Sequence, residues 1–207
     1  MLIFKISVTL LFICFIASIS DFRNKQTNPL FSRPWLRLMK FGYLIPQLSC
    51  LYFVWKLDFL NVQILVCPVL MLVGLIIVLS AKRELGNRHS WAGYASVIPK
   101  DYCVTGVYAW VRHPLYLGIM VFVVGLGFIV IPNFMVQLQL ACTYLIGNLI
   151  TFLFLILSAH KETRYLAEKF GEPFLDYASQ VYSFFPIRKY KPAQLNTPVP
   201  IEIEGGL

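Results

Sequence analysis

The sequence predicts an all-helical, polytopic membrane protein with about five spanning helices, and three observations predict it. First, 58% of the residues are hydrophobic and only 14% are charged, where soluble domains carry roughly a quarter charged residues. Second, five apolar segments approach the length of about 20 residues that a helix needs to cross a hydrocarbon core. Third, the lysines and arginines gather in the segments between those runs.

The apolar segments follow one another at Met1 to Ser20, Phe41 to Leu57, Phe59 to Ser80, Leu115 to Ile131 and Phe134 to Ala159. Backbone groups in lipid must pair internally, so these runs are expected as helices. Little more than Asp58 separates the second from the third, and Pro132-Asn133 separate the fourth from the fifth. Both pairs are therefore expected as antiparallel hairpins. The first segment also has features of a signal peptide, namely Lys5 followed by an apolar stretch and small residues at Ala17, Ser18 and Ser20. Its apolar stretch is long for that purpose, and a retained helix is the favoured reading.

Beyond Ala159, Leu166, Phe170, Phe174 and Tyr177 recur at spacings of four, four and three, one face of a helix. Gly171 and Pro173 are expected to interrupt it, and its cations suit the membrane interface. Residues 1–192 read as one integral-membrane domain, and the Pro-rich segment 193–207 as a disordered tail.

Sixteen of the 18 lysines and arginines fall in 20–40, 81–114 and the segment after Ala159. With five spans these segments share one side, which the positive-inside rule makes cytosolic, leaving the C-terminus in the cytosol. The net charge of +8 thus reflects topology and the lipid bilayer as partner. No basic stripe with interleaved aromatics points to nucleic acid. The five cysteines form no CxxC pair, and His89, His113 and His160 have no ligand spacing, so neither a disulfide framework nor a metal site is expected. Nucleotide fingerprints and a nucleophile elbow are also absent from the sequence.

Two stretches carry candidate chemistry. In the first, Arg112 and His113 directly precede Pro114 at the head of the fourth apolar segment. Proline suits a first helical position, and the helix dipole there favours an anion. An equally weighted reading has Arg112 reaching lipid phosphates beside an interfacial belt of Tyr108, Trp110 and Tyr116. In the second stretch, Glu162 sits where the fifth segment leaves its apolar run. A carboxylate there is either partnered, as its cost in lipid demands, or solvated beside Lys161.

Together the stretches resemble the isoprenylcysteine carboxyl methyltransferase family. The resemblance rests on Arg112-His113-Pro114-x-Tyr116-x-Gly118 after Val104-Thr105-Gly106-Val107-Tyr108. It continues with Glu162, then Phe170-Gly171-Glu172, Tyr177, Val181 and Pro186. Arg83 to Gly86 and Trp91 also resemble family positions, so the likeness covers about residues 80–190. Phospholipid methyltransferases and sterol reductases share parts of this architecture. The resemblance implies S-adenosylmethionine as cofactor in a pocket on the cytosolic side. Its contacts would be Lys100, Asp101, Tyr102, Cys103, Tyr108, His113, Pro114, Leu115, Tyr116 and Glu162. The implied acceptor is the carboxylate of a prenylated cysteine. The implied location is the endoplasmic reticulum of a eukaryote or the inner or plasma membrane of a prokaryote.

A carboxylate is ionised at neutral pH and needs no general base, but it needs a cation to orient it. Ser158 stands where prenylcysteine enzymes carry an arginine, and Thr163 where they carry a second glutamate. Arg112 is therefore the candidate catalytic residue for that orienting role. A phospholipid amine or a small thiol would be the alternative acceptor and would require a base such as His113 or His160. A sterol-reductase-like oxidoreductase and a non-enzymatic scaffold are the competing classes.

Overall fold

The computed structural model describes residues 1–19, 28–29, 33–57, 62–86, 94–95, 102–130 and 138–184. Among these residues the chain forms six α-helices: α1 (Leu2–Ile19), α2 (Arg33–Lys56), α3 (Val62–Leu85), α4 (Pro114–Val130), α5 (Leu138–Phe170) and α6 (Glu172–Gln180). A 3-10 turn spans Gly106–Ala109. Two-residue strands β1 (Asn28–Pro29) and β2 (Tyr94–Ala95) pair antiparallel, Asn28 opposite Ala95.

Among the described residues, three helical stretches are long and apolar enough to cross a membrane: Leu2–Ile19, Ile64–Leu85 and Leu138–Phe170. α4 is apolar throughout but has 17 residues. α2 has 24 residues, and Arg33, Arg37 and Lys40 break the apolar character of its first part.

Helix direction alternates along the chain. Lys5 Nζ donates to the Trp55 carbonyl (2.8 Å), and Trp55 Nε1 to Thr9 Oγ1 (3.2 Å), which sets the start of α1 beside the end of α2. Lys82 Nζ donates to the Ser18 carbonyl (2.6 Å), which sets the end of α1 beside the end of α3.

α3 and α4 form the tightest pair, through glycine. A Cβ on Gly74 would lie 2.6 Å from the Phe122 nitrogen and 2.7 Å from the Gly118 carbonyl oxygen. One on Gly118 would lie 2.8 Å from the Gly74 carbonyl oxygen, and one on Gly125 3.0 Å from the Met71 nitrogen. Lipid tails give apolar helices no solvent-driven reason to associate, so close backbone approach at small residues supplies the packing. Phe15 of α1 stacks on Phe122 of α4, with centroids 3.7 Å apart.

The loops between helices do not dictate their neighbours. α5 packs mainly on α2, and less on α4, its expected hairpin partner. The reason is polar. Gln47 Nε2 donates to Asn148 Oδ1 (2.5 Å), and Asn148 Nδ2 donates to the Tyr144 carbonyl (2.8 Å). All three residues are buried, and a buried amide demands such partners. Pro46 lies against Gly147, where a side chain would collide with its ring. The Tyr144 hydroxyl donates to the Val123 carbonyl and ties α5 to α4.

α5 also corrects the expected boundary near Ala159. It runs unbroken for 33 residues to Phe170, absorbing the first half of the expected interfacial helix. No proline interrupts it before Pro173, and it stops at Gly171, whose φ of +62° is left-handed. The expected interruption falls there, and Pro173 lies in the first turn of α6. The tail 193–207 lies outside the described residues.

The glycine contact makes a prediction. Gly74→Val should destabilise the protein by about 1–3 kcal/mol, the usual cost of overpacking. Gly127→Ala, whose new methyl would lie 3.8 Å from the Tyr144 ring, should be near neutral. Thermal unfolding of both variants in detergent checks the contrast.

Candidate functional site

The ends of α3 and α5 and the start of α4 meet at one end of the bundle, and the site is built there. The chain enters it at Tyr102 and Cys103. Cys103 Sγ donates weakly to the Glu84 carbonyl oxygen (3.8 Å), and Thr105 Oγ1 donates to Glu84 Oε2 (3.0 Å). Gly106 then takes φ +57° against the Glu84 carboxylate, where a side chain would collide. That turn opens the 3-10 segment and buries Tyr108.

Residues 108–113 dock on α6 and the chain that follows it. Val111 bridges Tyr182 in parallel register. The Arg112 and His113 amides donate to the carbonyls of Tyr182 (2.8 Å) and Ser183 (3.2 Å). Arg112 Nη1 donates to the Ala178 carbonyl (2.6 Å), and the Tyr177 hydroxyl to the Tyr108 carbonyl (2.7 Å). Burial raises the Tyr177 hydroxyl above the usual tyrosine range, while the nearby Arg112 cation pulls it the other way. Tyr102 closes the layer with ring centroids 5.2 Å from Phe170, 5.2 Å from Phe174 and 5.7 Å from Tyr177.

His113 is the junction of the two stretches. Its Nδ1 lies 3.4 Å from Glu162 Oε2, and its Nε2 lies 2.9 Å from Thr163 Oγ1. The ring is 6% exposed, while the Glu162 side chain is 38% exposed. Tyr116 stacks parallel to the imidazole, 7° between planes, and Phe184 covers it at 5.7 Å. Pro114 opens α4, and Pro114, Leu115 and Tyr116 are all buried in its first turn. One turn before Glu162 on α5, Ser158 is wholly buried, and its hydroxyl has no hydrogen-bond partner among the described residues.

Of the expected site residues, Tyr102, Cys103, Tyr108, Arg112, His113, Pro114, Leu115, Tyr116 and Glu162 therefore gather at one end of the bundle. Lys100 and Asp101, like Trp91, lie outside the described residues. Arg112 is buried and holds the Ala178 carbonyl of α6. Sequence reasoning missed two contacts. Thr163 could have been found, because consecutive helical positions beside a carboxylate can meet two atoms of one partner. Phe184 had no signal, since it follows α6 in irregular chain. Among the described residues no group of three or more His, Cys, Asp or Glu gathers as a metal site.

The arrangement offers a half-exposed carboxylate backed by an imidazole, a wall of tyrosine rings and a buried cation one residue from the histidine. Such a set can receive an ammonium group at Glu162 and a cationic centre against aromatic faces. No protein-family model and no curated protein matches the chain.

The docking of α6 makes a prediction. Tyr177→Phe deletes the bond to the Tyr108 carbonyl and should cost about 1 kcal/mol, seen as faster amide exchange across 172–182. A raised tyrosine stabilises the fold fully below its unfolded value of about 10, and loses that contribution as pH climbs toward the folded value. The gap between wild type and variant should therefore shrink in alkali.

Proposed function

We propose that this chain transfers a methyl group from S-adenosylmethionine to a membrane-borne acceptor, as the isoprenylcysteine carboxyl methyltransferases do. The observation that supports it best is the contact between His113 and Glu162. It joins two stretches, at residues 113 and 162, that carry the resemblance separately.

The residues present fit the cofactor. Glu162 is exposed enough to meet a ligand and is an acceptor for an amino group. The buried Ser158 hydroxyl, on the same face of α5, has no partner among the described residues. Tyr102, Tyr108 and Tyr116 offer rings, Cys103, Pro114 and Leu115 line the same end, and Lys100 and Asp101 join them by the resemblance. When bound, the cofactor would supply an electrophilic methyl group on a sulfonium.

The protein's part is to hold and orient. Glu162 would anchor the amino group, and His113 would hold Glu162 in place. Arg112 would orient the acceptor, which the resemblance makes the ionised carboxylate of a prenylated cysteine. A planar guanidinium suits a carboxylate, and no residue has to remove a proton from it. Rate would come from positioning one reactant from water against one from lipid. α1 to α5 would all cross the membrane, with the site on the cytosolic side beside the cation-rich segments.

Two outcomes are expected. S-adenosylhomocysteine should bind the purified chain in calorimetry, and Glu162→Gln should weaken it by roughly 1.5–3 kcal/mol, the worth of a hydrogen bond to a charged group. Unchanged affinity would remove Glu162 from the site. A reporter fused after Tyr190 should read cytosolic, and one inserted at Asp58 should read the opposite side. The same side for both would overturn the five-span arrangement.

A further inference from the structure

Ser158 departs from what the other hydroxyls on these helices do. Thr9, Ser18, Thr143 and Thr151 each donate to the carbonyl four residues back, at 2.7–2.9 Å. That back-bond is the ordinary way a helical serine or threonine satisfies itself in an apolar bundle. Phe154 stands four residues before Ser158, yet the Ser158 hydroxyl makes no hydrogen bond to it or to any other described residue. Ser158 is wholly buried, as are Leu155 and Ala159 beside it on α5. A buried hydroxyl with no partner is costly, and in a native fold it calls for a cause. Its place suggests one. Glu162 follows one helical turn later on the same face, and its side chain is 38% exposed. The two residues run from the open end of the site into the bundle. Glu162 is the anionic acceptor outside, and Ser158 the neutral donor about 6 Å deeper along the axis.

We propose that Ser158 is the second binding residue of this site, donating to the carboxylate of an α-amino-acid ligand whose ammonium group Glu162 holds. Such a ligand carries ammonium and carboxylate on one carbon, so one end of it can meet both residues. A carboxylate only accepts hydrogen bonds, and the Ser158 donor is unused. The two ligand charges offset each other, which lowers the cost of bringing a carboxylate to a buried hydroxyl. The proposal rests on the reading of Glu162 as a cofactor contact, since S-adenosylmethionine belongs to this ligand class. It requires no particular charge on His113.

The test is calorimetry on the full chain in detergent with two ligands. One is S-adenosylhomocysteine. The other is its analogue without the carboxylate, which keeps the amine, the sulfur and the adenosine. Ser158→Ala should weaken S-adenosylhomocysteine about ten- to a hundredfold, the range a hydrogen bond to a charged group supports, and leave the analogue unchanged. Glu162→Gln should weaken both. Thermal unfolding without ligand separates binding from folding. Ser158→Ala removes a hydroxyl that has no partner, so its midpoint should equal or exceed that of wild type. A lower midpoint means that the hydroxyl is already bonded in the free protein and overturns the proposal. Unchanged affinity for S-adenosylhomocysteine in Ser158→Ala overturns it too, as does an equal loss for both ligands, and in these cases the cofactor reading stands. If wild type binds neither ligand, the cofactor reading itself fails and the assignment of Ser158 falls with it.

Discussion

The close approach of α3 and α4 at Gly74 and Gly118 is the contact on which the rest of this structure depends. It lets two backbones meet where a single methyl would not fit. That sets the height of α4 against α3, and so brings Glu84 at the end of α3 level with the chain that leads to Pro114. Thr105 and Cys103 can then bond Glu84, and the turn at Gly106 can fold against it. α5 is hung from α4 at two levels, by Tyr144 on Val123 and by Thr163 on His113. A shift of α4 along its axis would therefore misalign both layers of the site at once.

Polar side chains select which apolar helices touch. The outer faces of α1, α3 and α5 are rows of large aliphatic residues such as Ile3, Val69, Ile76, Leu149 and Leu153. Nothing in those faces distinguishes one neighbour from another. Gln47 and Asn148 do, because an amide without a partner in an apolar interior costs more than a bond to it returns. One pair thus puts α5 on α2, against the expectation drawn from the short link after α4. Interhelical bonds of this kind are worth modest energies in bilayers, but they discriminate among packings that are otherwise nearly equal.

The all-helical class and the rough position of the described helices were legible because apolar content is set by local sequence. α2 and α5 were misjudged in length, since a helix continues past its apolar run until something stops it. For α5 that stop is Gly171, and not the first charge at Lys161. The gathering of His113 with Glu162 was legible only through the family resemblance, as no periodicity joins positions so far apart in sequence. Thr163 was read as the loss of a glutamate, whereas in the fold its hydroxyl lies 2.9 Å from His113 Nε2.

The length of α5 explains how a site can be held firmly at the edge of an apolar bundle. Its 33 residues span about 50 Å at 1.5 Å each, while a hydrocarbon core is roughly 30 Å thick. A helix that crosses such a layer must carry its last turns well beyond it. Glu162 and Thr163 lie on those last turns, on a continuous helix anchored in its first half at Tyr144 and Asn148. Their partner, His113, stands immediately before α4, where the bundle ends. Sites held on helices keep tighter geometry than sites held on loops. The segments 102–113 and 181–184 bond each other's backbone at Arg112 and His113, and the first is tied to α3 through Glu84. In the proposed function, a carboxylate so placed would stand between water and the apolar bundle, where a soluble and a lipid-borne reactant could meet.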